Sequence, residues 1–179
     1  MGRGMSKCLS PAALLGLQAQ FLEKRVLQLG LQVTHETNGA HGLAYLALWA
    51  ILETFAKQLY AAHEREKLQA DLLKWVDFMN GAQLVRPADI ATVKYKPDTF
   101  LNASIPSQKQ LTLLIAANQA PTFYLVLATD QKYRKRRNVI AHSGEDVSQA
   151  VYDEFKTQAL SAISEIEKWF SKSTKKAGL

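Results

Sequence analysis

Apolar residues recur along this chain three and four positions apart, the spacing that places them on one face of a helix. Ser10-Pro11 opens the first such stretch with a hydroxyl that can accept from early helix amides. It is followed by a residue whose missing N–H costs nothing in a first turn. Leu15, Leu22, Val26 and Leu29 keep the period and predict a helix over 11–32. The period lapses over 35–39, where Asn38-Gly39 signals a turn. A second helix is predicted over 41–63. Leu48, Ile51, Phe55 and Leu59 form one stripe of it; Leu46, Trp49, Ala50, Glu53 and Tyr60 form an adjoining one. It continues or bends through 64–79, where Leu68, Leu72, Trp75, Val76 and Met79 hold the same spacing. Trp49 and Trp75 read as core or dimer-interface residues.

Between 81 and 106 the pattern dissolves around Pro87, Pro97 and Pro106, with 92–95 the one candidate extended piece. A long irregular connection in a small domain is commonly functional or mobile. Ser107 and Gln110 make a capping box ahead of Leu111, Leu113, Leu114 and Ile115. Pro121 begins a further helix expected to run through Phe123, Leu125 and Val126 into a basic stretch and to break at 143–146. Asp146 is placed to cap the last helix, whose apolar positions include Val151, Phe155, Ile163, Ile166 and Phe170. The expected architecture is a single all-α domain over 10–171, a bundle of about five helices, with flexible ends at 1–9 and from Lys172 onward.

Composition agrees. The chain has 179 residues, 47% hydrophobic and 21% charged, enough to bury a core, and only 5 prolines and 9 glycines interrupt it. One cysteine, Cys8, allows no intrachain disulfide and no thiolate cage. The start lacks the pattern of a secretory signal. The most apolar run, 43–52, is far shorter than the roughly 20 residues of a membrane helix, so no membrane association and a cytoplasmic location are expected. His35, His41 and His63 lack metal-ligand spacing, and no metal or other cofactor is expected.

The net charge of +6 adds a candidate chemistry because it is locally focused: Lys132, Arg134, Lys135, Arg136 and Arg137 fall within six positions, with Tyr133 among them. Four of these, Lys132, Arg134, Lys135 and Arg136, form a candidate RNA-backbone patch; the plainer alternatives are a solvated helix face or a targeting sequence. Tyr133 reads as a packing residue rather than a base-stacking one. At about 100° per residue, Arg137, Ala141, Asn138 and His142 share one arc, with Val139 and Ile140 opposite on an apolar face suited to a core. A guanidinium fork matches phosphate oxygens, and an imidazole moves protons near neutral pH. Attack of an RNA 2′-hydroxyl on its neighbouring phosphate needs both. Asn138 can orient the imidazole or bind the phosphate. Glu53 reads either as an exposed break between stripes or as an acid paired with Arg137 or His142.

Arg137-Asn138-Val139-Ile140-Ala141-His142 resembles the Arg-(Asn/Asp/His)-xxx-His signature of the HEPN superfamily. The setting is similar too: a helix before the motif, a small turn after it, a final amphipathic helix, and an acidic residue, Glu53, on an earlier helix. The resemblance implies a helical bundle and, in active members, a metal-independent endoribonuclease. Two domains pair so that both motifs face one cleft, in toxins or antiviral defence. It implies Arg137 as phosphate stabiliser, His142 as acid and base, Asn138 in support, and a homodimer, since one chain carries one motif. The alternative is a non-catalytic module that binds RNA or docks an antitoxin or nucleotidyltransferase-type partner.

Overall fold

The computed structural model describes residues 9–82 and 108–179, and among these the chain is all helix, with no strand. The helices are α1 (Pro11–Thr37), α2 (His41–Ala82), α3 (Gln108–Ala116), α4 (Thr122–Thr129), α5 (Gln131–Ser143) and α6 (Gln149–Lys176). The side chains of Trp75 and Met79, the 92–95 piece, the connection beyond Ala82 and the Ser107 cap lie outside the described residues.

α2 runs as one uninterrupted helix of 42 residues, past 63 to Ala82. Its first half buries Ala44, Tyr45, Leu48, Trp49, Ile51, Leu52, Phe55, Ala56 and Leu59, which fall on one broad face, with Glu53, Thr54 and Lys57 on the other side. That face and its edges make α2 the central helix, and α1, α4, α5 and α6 all pack against it. Phe55 lies at the centre. Its ring meets Phe21 of α1 at 5.4 Å, Tyr124 of α4 at 5.1 Å and Phe170 of α6 at 5.6 Å, each edge to face.

α6 follows its expected stripe, with Phe155, Ile163, Ile166 and Phe170 buried and Val151 half-buried. It continues through Lys172 to Lys176, where a frayed tail was expected. Lys175 and Lys176 occupy the last turn, the end at which the helix dipole favours cations. α1 departs from expectation in two ways. It runs to Thr37, so that only Asn38 and Gly39, the latter at φ +70°, make the turn. Its buried stripe is Leu14, Leu17 and Phe21, whereas Leu15, Leu22 and Val26 face outward. Both sets have helical spacing, and the one that meets α2 is buried.

The expected continuous helix from Pro121 into the basic stretch is two helices, so that six stand among the described residues where about five were expected in all. The break is at Asp130, whose backbone is extended and whose carboxylate accepts from the amides of Lys132 (2.7 Å) and Tyr133 (3.2 Å). Local side-chain capping here outcompetes helix continuation.

Asp146 caps a helix, but not the expected one. Ser148 is the N-cap of α6, and the Asp146 carboxylate instead accepts the backbone N–H of Gly42, at the start of α2, and of Val147. These bonds hold its carboxyl below the ordinary aspartate range. The turn after α5 is thereby tied to the N-terminus of the central helix. Gly42 makes the approach possible: a Cβ there would lie 2.9 Å from Asp146 Oδ1, 3.2 Å from Ile140 Cγ2 and 3.3 Å from the Glu145 carbonyl oxygen. Gly42→Ala should therefore destabilise the protein by about 1–2 kcal/mol despite alanine's better helix propensity, seen as a lower urea midpoint at unchanged slope.

Candidate functional site

The sequence motif lies on the last turns of α5, and both ends of that helix are held. Asp130 caps the start; Gly144, at φ +70°, closes the end with its N–H on the Ile140 carbonyl at 3.0 Å. Tyr45 of α2 donates its hydroxyl to the Tyr133 carbonyl at 2.9 Å, and Tyr133 packs against Phe155 at 5.5 Å. Tyr133 is a packing residue, as its sequence context suggests.

The rotation of α5 about its axis differs from expectation. Tyr133, Arg137 and Ile140, spaced four and three apart, form the side that meets the core, whereas Val139 is 37% exposed. Arg137 therefore does not share an open arc with Asn138 and His142; its side chain is only 19% exposed. It can sit there because α2 supplies a partner for its charge. An Arg137 Nη donates to Glu53 Oε2 at 2.9 Å, and the guanidinium carbon lies 5.6 Å from the centre of the Trp49 ring.

Glu53 is the hub of this arrangement, and the reading of it as an acid paired with Arg137 is the one the geometry supports. Trp49 Nε1 donates to it at 2.8 Å, and Lys57 bridges its other oxygen at 3.0 Å. Trp49, Glu53 and Lys57 stand one turn apart on a single face of α2. Burial pushes the Glu53 carboxyl upward. The Lys57 hydrogen bond, the Arg137 charge and the Trp49 N–H outweigh it and hold the group below the ordinary glutamate value. The i−4 and i+4 spacing of Trp49 and Lys57 around Glu53 was a readable signal that sequence reasoning did not use.

Arg137→Ala should cost about 1–3 kcal/mol, less than breaking a fully buried pair, because Lys57 and Trp49 still hold the carboxylate. A group whose folded-state affinity for protons is lowered stabilises the fold above its unfolded value. That contribution is lost as pH falls through the lowered value. Urea midpoints should thus drop below about pH 4.5 in the wild type, and less so in Glu53→Gln.

The other motif residues point outward. Asn138, Ala141 and His142 are exposed, and the side chain of neither Asn138 nor His142 has a hydrogen bond or ion pair among the described residues. Arg134 is half-exposed and Lys135 and Arg136 are exposed, leaving their charges open to a ligand. Lys132 is engaged: its ammonium pairs with Glu154 of α6, which also meets the Tyr133 hydroxyl. The site therefore has two layers. A guanidinium anchored by Glu53 and Trp49 lies beneath, and a free imidazole, a free amide and three cations lie at the surface.

Among the described residues no three His, Cys, Asp or Glu side chains gather where a metal ion could sit, and no helix is long and apolar enough to cross a membrane. Compared with protein-family models, with curated proteins and with solved structures, the chain finds no match.

Proposed function

We propose that the protein is an endoribonuclease of the HEPN type that needs no metal ion and cuts single-stranded RNA at a site shared between two copies of the chain. The observation that carries this reading is the exposed His142, unpartnered among the described residues, on the capped end of α5, one turn from Asn138 on the helix that also carries Arg134, Lys135 and Arg136. The cations attract the RNA backbone. One His142 takes the proton from a ribose 2′-hydroxyl, whose oxygen attacks the adjacent phosphorus. The partner chain's His142 gives a proton to the departing 5′-oxygen. The products are a 2′,3′-cyclic phosphate and a free 5′-hydroxyl. Arg137, steadied by Glu53, and Asn138 stabilise the charge that builds on phosphorus. One exposed imidazole on a convex helix end makes no cleft, so the second wall and second proton carrier come from a second chain. The outward stripe of Leu15, Leu22, Val26 and Val33 on α1 supplies apolar surface for self-association.

The test is incubation with single-stranded RNA in EDTA. The expected result is fragments ending in cyclic phosphate, with 2′-O-methyl RNA left intact. Cleavage of the 2′-O-methyl substrate overturns the mechanism.

One observation favours a second reading, a helical module that binds RNA or a partner protein without cutting. The Arg137 guanidinium is already engaged by Glu53 and mostly covered, as in a purely structural ion pair. RNA binding that weakens steeply with salt, with no turnover, supports that reading.

A further inference from the structure

One long face of α1 is left uncovered. Leu15, Ala19, Leu22, Val26, Leu29 and Val33 recur alternately four and three residues apart, the heptad spacing of a seam between two helices. Val26 is 70% exposed, Leu15, Ala19, Leu22 and Val33 are exposed with it, and Leu29, at the edge of the stripe, is half-buried. No charged side chain interrupts the stripe. Gly16 and Gly30 border it, and a Cβ on either would meet nothing within 4 Å, so a second helix has room to approach.

We infer that two copies of the chain pair through this face, α1 against α1, parallel and in register. Leucine stands at every seventh position (15, 22 and 29), with Val26 and Val33 at the alternate seam positions, the division that favours two parallel strands. The charges beside the seam agree. Antiparallel pairing that lays Leu15 on Val33 sets Glu23 against Glu23 and Arg25 against Arg25 of the second copy. Parallel pairing sets Gln18 beside Glu23 of the second copy and Arg25 beside its Gly30, and Arg25 keeps its own partner, Glu167, at 3.0 Å. The seam is about 28 Å long and covers about 500 Å² per chain, at the lower end of specific interfaces, so the dimer should form reversibly. The orientation deepens the nuclease reading, and its consequence for the site rests on that reading. The Asn38-Gly39 turn joins α1 to α2, and Asp146 ties the start of α2 to the turn after α5. His142 therefore stands toward the Val33 end of α1. Parallel pairing brings both motifs to one end of the dimer, where antiparallel pairing would send them to opposite ends.

The experiment is sedimentation of the full chain without RNA, at concentrations up to about 200 μM. The mass should rise from 20.0 kDa to twice that, and Val26→Glu should stay at the single-chain mass with its helix content unchanged, because that position is exposed in the single chain. Orientation is read from disulfide formation under mild oxidation in a Cys8→Ser background. Leu15→Cys and Val33→Cys should each link to their own counterpart, and Gln20→Cys, exposed on another side of α1, should not. The proposal is overturned if the wild type keeps the single-chain mass throughout, or if Val26→Glu pairs as the wild type does. It is overturned equally if Leu15→Cys chains link only to Val33→Cys chains. A dimer that leaves RNA uncut removes the nuclease reading and keeps this one; a single chain that cuts RNA does the reverse.

Discussion

Replacing His142 with alanine is expected to lower the rate of RNA cleavage by about 100- to 10,000-fold, the usual contribution of a positioned proton carrier. The same change should leave the melting temperature within about 2 °C of the wild type. The side chain is exposed and has no partner among the described residues, and surface replacements of that kind shift stability by no more than about 0.5 kcal/mol. This separation makes His142 a sharper probe than Arg137. Loss of Arg137 removes a stabilising contact with Glu53 together with any role in chemistry, so a fall in activity there has two causes. Mixing His142→Ala chains with wild-type chains tests the shared site as well. If both copies of His142 act in one cleft, mixed dimers lack one proton carrier, and activity should fall more steeply than the fraction of wild-type chains. Cleavage by His142→Ala at the wild-type rate removes the basis of the nuclease proposal.

Phe55→Ala should be the most damaging single change to the fold, costing about 3–5 kcal/mol. The ring is 1% exposed and touches aromatic rings from α1, α4 and α6, including Trp169 at 5.9 Å. Truncation opens a void bordered by four helices, none of which can move inward without disturbing the others, so little of the loss is recovered by relaxation. In a domain of marginal stability this is a large part of the total. Chemical denaturation should show the midpoint falling at constant slope; a loss below about 1 kcal/mol contradicts the packing described.

How far the helices could be read from the chain depended on how one-sided each was. α6 alternates polar and apolar surfaces cleanly, and its stripe of Phe155, Ile163, Ile166 and Phe170 is the buried one. α1 carries apolar residues on more than one face. Its periodicity therefore identified a helix without choosing between Leu14, Leu17 and Phe21, which are buried, and Leu15, Leu22 and Val26, which are not. The break at Asp130 was missed because neither a proline nor a glycine marks it. The decisive signal was a capping carboxylate, whose two amide bonds lie within three residues of it. Asp146 was correctly singled out as a cap but assigned to its neighbour in sequence, when the amide it satisfies is 104 positions away.

The candidate site divides along the same line. Local order along the chain determined that a helix ends at Ser143-Gly144 and that Asn138 and His142 stand one turn apart on it, because helix geometry and a glycine stop are short-range matters. The rotation of that helix was a tertiary decision. Val139 has the apolar side chain, yet Arg137 is turned inward, because α2 offers a carboxylate and an indole at the right depth and a paired guanidinium can be covered where an unpaired one cannot. Hydrophobic periodicity measures what each residue loses in water. It contains no information about which partner waits on the neighbouring helix, and that partner set the architecture beneath the motif.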